Sequence, residues 1–269
     1  MKKVLILCFV FIITLQAKER IISLDPASIE TLFMLKADDQ IIGIVSLTHS
    51  DIYPKEKTSK ITSVGTFTNP SVEKIISLDP TLVILSSYSL NLKQKLDNFG
   101  IKTMIFKTQH LNDIKDNIKI LAKITQKEKE GKKILKKFED ELKNLEKNPL
   151  NKSAIYLYSS NPLMAFSDNS LIADILKLIG IKNLSPKSNI TRPIISEEYI
   201  LKQNPDLLIF GINATDKNLL NNSSLLKNTK AVKKNRIYTY KNTYLLLRLS
   251  PKIIDRIKEF KAEIKTVLP

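Results

Sequence analysis

The sequence predicts an α/β protein built as two similar α/β lobes with mostly parallel sheets, joined by one long α-helix, with a ligand cleft between the lobes. Three observations predict it. A unit of helix, proline turn and apolar strand at 71–84 recurs at 196–209, displaced by 125 residues. Strand and helix periodicities alternate along the chain at βα spacing, which argues for parallel sheets in an α/β layer. The stretch 111–148, midway between the copies, has no proline and one glycine, and it sets Ile134, Phe138, Leu142 and Leu145 on one helical face.

At the N-terminus, Lys2 and Lys3 precede the apolar run Val4 to Leu15, and Leu15-Gln16-Ala17 offers a cleavage site before Lys18. Residues 1–17 therefore read as a cleavable signal peptide, and the expected location is the periplasm. An uncleaved N-terminal anchor is the alternative, and the run is short and early for a membrane span. Cys8, the single cysteine, lies inside it, so the remaining 252 residues hold no thiol or disulfide. That length is ample for two ordinary domains. The net charge of +16 raises the question of nucleic acid. Its lysines are mixed with acids, as in 127–147, and do not form an arginine-rich stripe, so they read as solvated surface.

The N-terminal lobe is assigned to 18–120. Arg20 to Leu24 is a first strand, and a helix follows Pro26 with Ile29, Leu32, Phe33 and Leu35 at helical spacing. Ile41 to Val45 is a second strand, the repeated unit supplies a helix and a third, and Thr103 to Phe106 is a fourth. In the unit, Ser71 and Ser196 can cap a helix, Glu73 and Glu198 sit in its first turn, and Pro80 and Pro205 break it before the strand. An inter-lobe backbone helix is assigned to 121–149 as part of the run from Leu111 to Asn148. A single helix is stiffer than a loop.

The C-terminal lobe, 150–269, opens with the strand Ala154 to Tyr158 and ends with a helix from about Pro251 to Val267. A second echo, from Ile172 to Leu184, matches Ile29 to Ile41 at an offset of 143. The N-terminal lobe thus holds eighteen extra residues, including Thr48-His49-Ser50-Asp51-Ile52-Tyr53-Pro54, a polar and aromatic insertion that suits a ligand-facing loop. Tyr238 and Tyr240 read as a strand edge, and His110, near a helix start, is assigned no role.

Five stretches in order carry a family resemblance: Arg20 to Pro26, Asp51 to Pro54, Val64 to Glu73, Asn204 to Ile209 and Arg248 to Pro251. Together they make the chain resemble the periplasmic substrate-binding proteins of ABC importers for cobalamin, ferric siderophores and heme, over nearly all of the mature length. The resemblance implies two α/β lobes on a helical backbone, slight closure on binding, and a non-catalytic protein. It also implies a permease with its ATPase as partners, a metal chelate as ligand and no resident cofactor. A monomer that binds no nucleic acid is expected. It further implies that Glu73 and Glu198 dock onto permease arginines. Two carboxylates on separate lobes can meet two basic sites at once, although each would also complement a helix N-terminus.

The cleft is expected to use His49, Phe67, Tyr88, Arg192, Tyr244 and Arg248. Phe67 stands where cobalamin-binding relatives resemble it with a Trp, and a flat ring there can lie against a macrocycle or catechol. Tyr88 follows an apolar strand, at the carboxyl end where open α/β sheets bind ligands. Arg192 and Arg248 can hold carboxylate or catecholate oxygens in a bidentate way. His49 can ligate iron or cobalt as neutral imidazole, and equally can be a solvated loop residue. Anionic iron chelates, ferric siderophore or heme, suit the arginines. Cobalamin is the alternative, and the absence of Trp counts against it. An exported enzyme lacks support: no nucleophile elbow, phosphate loop or His-carboxylate cluster is present in the sequence.

Overall fold

The computed structural model describes residues 18–214 and 216–268. The predicted signal segment 1–17, with Cys8, lies outside the described residues.

The first lobe runs β1 (Ile21–Ser23), α1 (Pro26–Met34), β2 (Ile41–Ser46), α2 (Lys55–Thr58), β3 (Ser63–Thr66), β4 (Asn69–Pro70), α3 (Val72–Ser77), β5 (Leu82–Leu85), α4 (Lys93–Asn98) and β6 (Lys102–Ile105). Its six strands lie in the order β4-β3-β2-β1-β5-β6, parallel except for the β3–β4 pair. After the connector come β7 (Lys152–Ser160), β8 (Leu163–Ala165), α7 (Leu171–Leu178), β9 (Ile181–Asn183), α8 (Glu197–Gln203), β10 (Leu207–Asn213), α9 (Asp216–Asn222), α10 (Lys230–Lys233), β11 (Ile237–Thr239), α11 (Thr243–Leu246) and α12 (Ile253–Val267). In the second sheet β9 runs parallel along the start of β7, and β8 folds back antiparallel along its end. The parallel set β11-β10-β7-β9 repeats β6-β5-β1-β2. The duplicated units occupy equivalent places in two separate sheets. Ser71 caps α3 by accepting the Lys74 N–H, and Ser196 caps α8 by accepting the Tyr199 N–H. Strands β3, β4 and β9 are short and lack the continuous apolar run that marks β5 in the sequence.

The connector differs from expectation. The run 111–148 is two helices, α5 (Asp113–Ile124) and α6 (Glu128–Glu146). Gln126 takes a left-handed conformation (φ 58°), and the Lys127 N–H returns to the Ala122 carbonyl at 2.7 Å, so α5 ends in a Schellman turn without a glycine. The Gly131 signal belongs to the next turn of chain. A Cβ there would lie 2.6 Å from the Ala122 Cβ, so glycine lets α6 cross close against α5.

Alternation along the strands divides the core. Ile21, Leu82 and Ile84 face one way with Ala154, Tyr156, Leu207 and Ile209 of the other lobe, in a single apolar cluster that also takes in α5, α6 and α12. Their neighbours Ile22, Val83 and Leu85 face an outer cluster of the first lobe, and Ile155, Leu157, Leu208 and Phe210 one of the second. The lobes therefore share their inner core. Sliding them far apart would expose it, which favours small motions.

One polar tie closes the second sheet. Asp206, between α8 and β10, accepts the Ser153 N–H at 3.0 Å and its hydroxyl at 2.8 Å, and pairs with Lys230 of α10. Burial alone would raise its pKa. The Lys230 and Ser153 donors outweigh it and draw the value down to about 2. A depressed carboxylate stabilises the fold above its unfolded pKa, and that contribution drains away as pH falls through the folded value. Asp206→Asn is expected to cost about 2 kcal/mol near neutral pH. In urea melts the gap between variant and parent should narrow between pH 4 and pH 2.

Candidate functional site

The carboxyl ends of two strands of the first lobe, β3 and β5, lead into the aromatic residues Phe67 and Tyr88. In the first lobe, the Phe67 N–H bonds the Ser46 carbonyl at 2.9 Å, which carries the chain across the end of β2. Beyond β5, Ser86 and Ser89 are buried and close a tight turn, the Ser86 N–H donating to the Ser89 hydroxyl at 2.8 Å. That turn pushes Tyr88 outward until it is 58% exposed. The two rings meet, with centroids 4.9 Å apart and planes tilted by 55°. β3 and β5 are separated by β2 and β1, so the pair spans the ends of the two central strands. It offers an apolar surface at the place where open α/β sheets bind ligands.

In the second lobe Arg192 is half-buried. Its segment runs beside β8, with the Ser167 N–H on the Thr191 carbonyl and the Ala165 N–H on the Pro193 carbonyl. The guanidinium carbon lies 4.4 Å from the ring centroid of Tyr158, near the end of β7. Among the described residues no carboxylate pairs with it. Ile190, Ile194 and Ile212, flanking this segment and ending β10, are exposed by 67%, 71% and 43%, which adds apolar surface.

A hollow of about 500 Å³ opens between the lobes. His49, Tyr53 and Lys55 from the inserted loop and α2 line one side, and Tyr244, Leu245 and Arg256 the other. His49 is exposed there, and Tyr244 is half-buried. Lys252 of the second lobe lies 4.6 Å from the Tyr53 ring centroid. The structure thus joins Phe67 with Tyr88 and His49 with Tyr244, and seats Arg192 on Tyr158. Among the described residues, no three His, Cys, Asp or Glu side chains gather as a metal cluster.

Arg248 departs from expectation. It is only 8% exposed, and its donors are engaged. Nη1 reaches Glu30 at 2.8 Å and the Asp51 carbonyl at 2.9 Å, and Nη2 reaches the Ser50 hydroxyl at 2.9 Å. Instead of lining an open cleft, it pins the inserted loop and joins α1 to the second lobe. Ser250 and Arg256 converge on the same Glu30. Burial pushes the Glu30 pKa up, yet the guanidiniums of Arg256 and Arg248 outweigh it and hold the carboxyl below its ordinary range. A smaller tie joins the lobes elsewhere. The His110 ring lies 3.0 Å from Asp174 of α7, which also accepts the Leu111 N–H.

Sequence reasoning missed Tyr158, Glu30 and Arg256. Tyr158 shares a face with the core residue Tyr156, two positions on, where β7 leaves the core. Arg256 falls on the apolar face of α12 with Ile253, Ile257, Phe260 and Ile264, and a cation there demands a buried partner.

Glu73 and Glu198 stand at equivalent positions, two residues beyond the serine caps of α3 and α8, and both are exposed. Glu73 takes its own backbone N–H and the Ser71 hydroxyl, with Lys95 3.8 Å away. Glu198 bonds mainly with Ser196. Both carboxyls are held below their ordinary pKa.

A family model described as periplasmic binding protein matches residues 21–244. An uncharacterised ABC transporter substrate-binding lipoprotein of Bacillus subtilis is 25% identical over 260 residues, covering 91% of this chain and 80% of its own. A vitamin B12-binding protein of Vibrio vulnificus is 27% identical over 225 residues, covering 81% of each chain. The periplasmic heme-binding protein HutB of Vibrio cholerae superposes with a TM-score of 0.78 at 20% identity, covering 92% of this chain and 99% of its own, a likeness of fold. Two lobes on shared helices, a hollow between them and a family match over most of the length lead to one assignment: this chain belongs to the periplasmic binding protein family, the substrate-binding components of ABC importers.

Proposed function

We propose that this protein captures an anionic iron chelate, heme or a ferric siderophore, and hands it to the permease of its importer without chemical change. The observation that carries the reading is the pairing of an exposed aromatic surface, Phe67 with Tyr88, with an arginine on the other lobe, Arg192, that no carboxylate neutralises among the described residues. A planar or catechol-bearing ligand finds stacking partners on one lobe and a cation for its acidic groups on the other. The second reading is vitamin B12, favoured by the relative that binds it.

Titration of the purified protein with hemin, a ferric tricatecholate and cyanocobalamin decides between them. A saturable spectral shift and tyrosine quenching with an iron chelate supports the first reading. A response to cyanocobalamin alone overturns it. In the Phe67→Ala, Tyr88→Ala double variant, affinity for the responding chelate should fall by at least about tenfold, because two aromatic faces are lost. The melting temperature should change little, as Tyr88 is exposed and Phe67 only half-buried.

A further inference from the structure

Charge does not balance beneath the inter-lobe hollow. Glu30 is wholly buried, and its Oε1 lies 2.8 Å from Arg248 and 2.6 Å from Arg256, both about nine-tenths buried. Its Oε2 accepts the Ser250 hydroxyl. One carboxylate faces two guanidiniums, so the cluster carries one surplus positive charge. Asp25, the other buried carboxylate near Arg248, is turned to the start of α1, where it accepts the Ser28 N–H and hydroxyl.

The two arginines are not equivalent. Arg248 donates from both terminal nitrogens. Arg256 donates to Glu30 from Nη2, while its buried Nη1 has no hydrogen-bond partner. Arg256 also forms part of the wall of the hollow, beside Tyr244 and opposite His49 and Tyr53. On the rim, Lys55 is paired with Asp51 at 3.0 Å, and the exposed Glu56 of α2 also lines the hollow, on the wall that faces Arg256. A buried cation with an unfilled donor in the wall of a cavity is the complement of an oxyanion.

We propose that Arg256 is the anion-recognising group of this hollow, and that the ligand presents a free carboxylate to it. The carboxylate enters between the His49–Glu56 loop and Tyr244 and accepts the idle Nη1 donor. Because Nη1 is shielded from solvent in this conformation, binding is coupled to a side-chain movement in the wall. The inference rests on the receptor reading and narrows it, from a chelate of any charge pattern to one with at least one uncoordinated carboxylate. It also gives the inserted loop a purpose. Through Ser50 and Asp51 that loop is fastened to Arg248, so the charge cluster holds both walls of the hollow.

The test uses the mature chain, a metal-free tricarboxylate (tricarballylate) and its trimethyl ester, measured by calorimetry in fixed salt. The acid is expected to bind saturably, and the ester more weakly by about tenfold or more. Arg256→Gln should erase that preference, and Arg256→Lys, which keeps a cation beside Glu30, should retain part of it. Equal binding of acid and ester, no binding of the acid at millimolar concentration, or an undiminished preference in Arg256→Gln would each overturn the proposal. Should Arg256→Gln fail to fold, the parent and the Lys variant still decide. Hemin and ferric tricatecholate run in parallel test the chelate reading separately. Silence from both, with the tricarboxylate result intact, would remove the iron chelate and leave the Arg256 site standing.

Discussion

Glu30→Ala is expected to lower the melting temperature by roughly 10 °C. The carboxylate is the one negative charge between two buried guanidiniums, and its removal leaves both without their ionic partner. Breaking a buried ion pair from one side costs about 3–5 kcal/mol, and for a domain of this size each kcal/mol moves the midpoint by about 2–4 °C. The loss should be asymmetric. Arg256→Met leaves Glu30 paired with Arg248 and Ser250 and removes the surplus charge, so it should cost less than about 1 kcal/mol and can even stabilise. Equal losses in the two variants would mean that the cluster is not electrostatically overloaded. A stabilising Arg256→Met would show a group kept against the interest of the fold, the usual mark of a residue retained for function. The pH dependence has a definite sign. A carboxyl held below its unfolded pKa adds stability above about pH 4.5 that disappears in acid, so parent and Glu30→Ala should converge as pH falls.

The βα order was legible in the sequence because burial on both faces of a parallel strand leaves an unmistakable apolar run, as at 82–85 and 207–210, and because the serine caps repeat in register. The break at 125–127 was not. Gln126 adopts a left-handed turn that glycine usually marks, and the glycine that was visible, Gly131, serves a close helix crossing instead. Phe67 was named from the family resemblance, whereas Tyr88 could be placed at a strand end by topology. Arg248 could not, because its environment is made by α1 and the inserted loop, some two hundred residues away in the chain. Burial of a charge is a tertiary property. The nearest sequence signal was Arg256, a cation on an otherwise apolar helix face, which calls for a buried anionic partner without saying which one.

Glu73→Ala combined with Glu198→Ala is expected to cut uptake in cells by at least about tenfold while leaving chelate affinity within about twofold, since charged pairs across an interface govern docking and not the cleft. Both carboxylates are exposed and stand at equivalent positions in the two lobes, and neither lines the hollow. A purely local role, complementing the N-termini of α3 and α8, predicts another outcome: small stability losses in each single variant and unchanged uptake. The shared inner core sharpens the distinction. Because Ile21, Leu82, Tyr156 and Ile209 belong to one apolar cluster, the lobes are held near a fixed separation, and so are the two carboxylates they carry. A permease with two basic sites at that spacing engages both at once, so the second contact forms at high effective concentration. The double variant should therefore lose much more uptake than the single-variant losses of a loosely tethered pair would give. Restoring uptake by swapping charge on the permease would establish direct contact; full uptake in the double variant would remove both residues from docking.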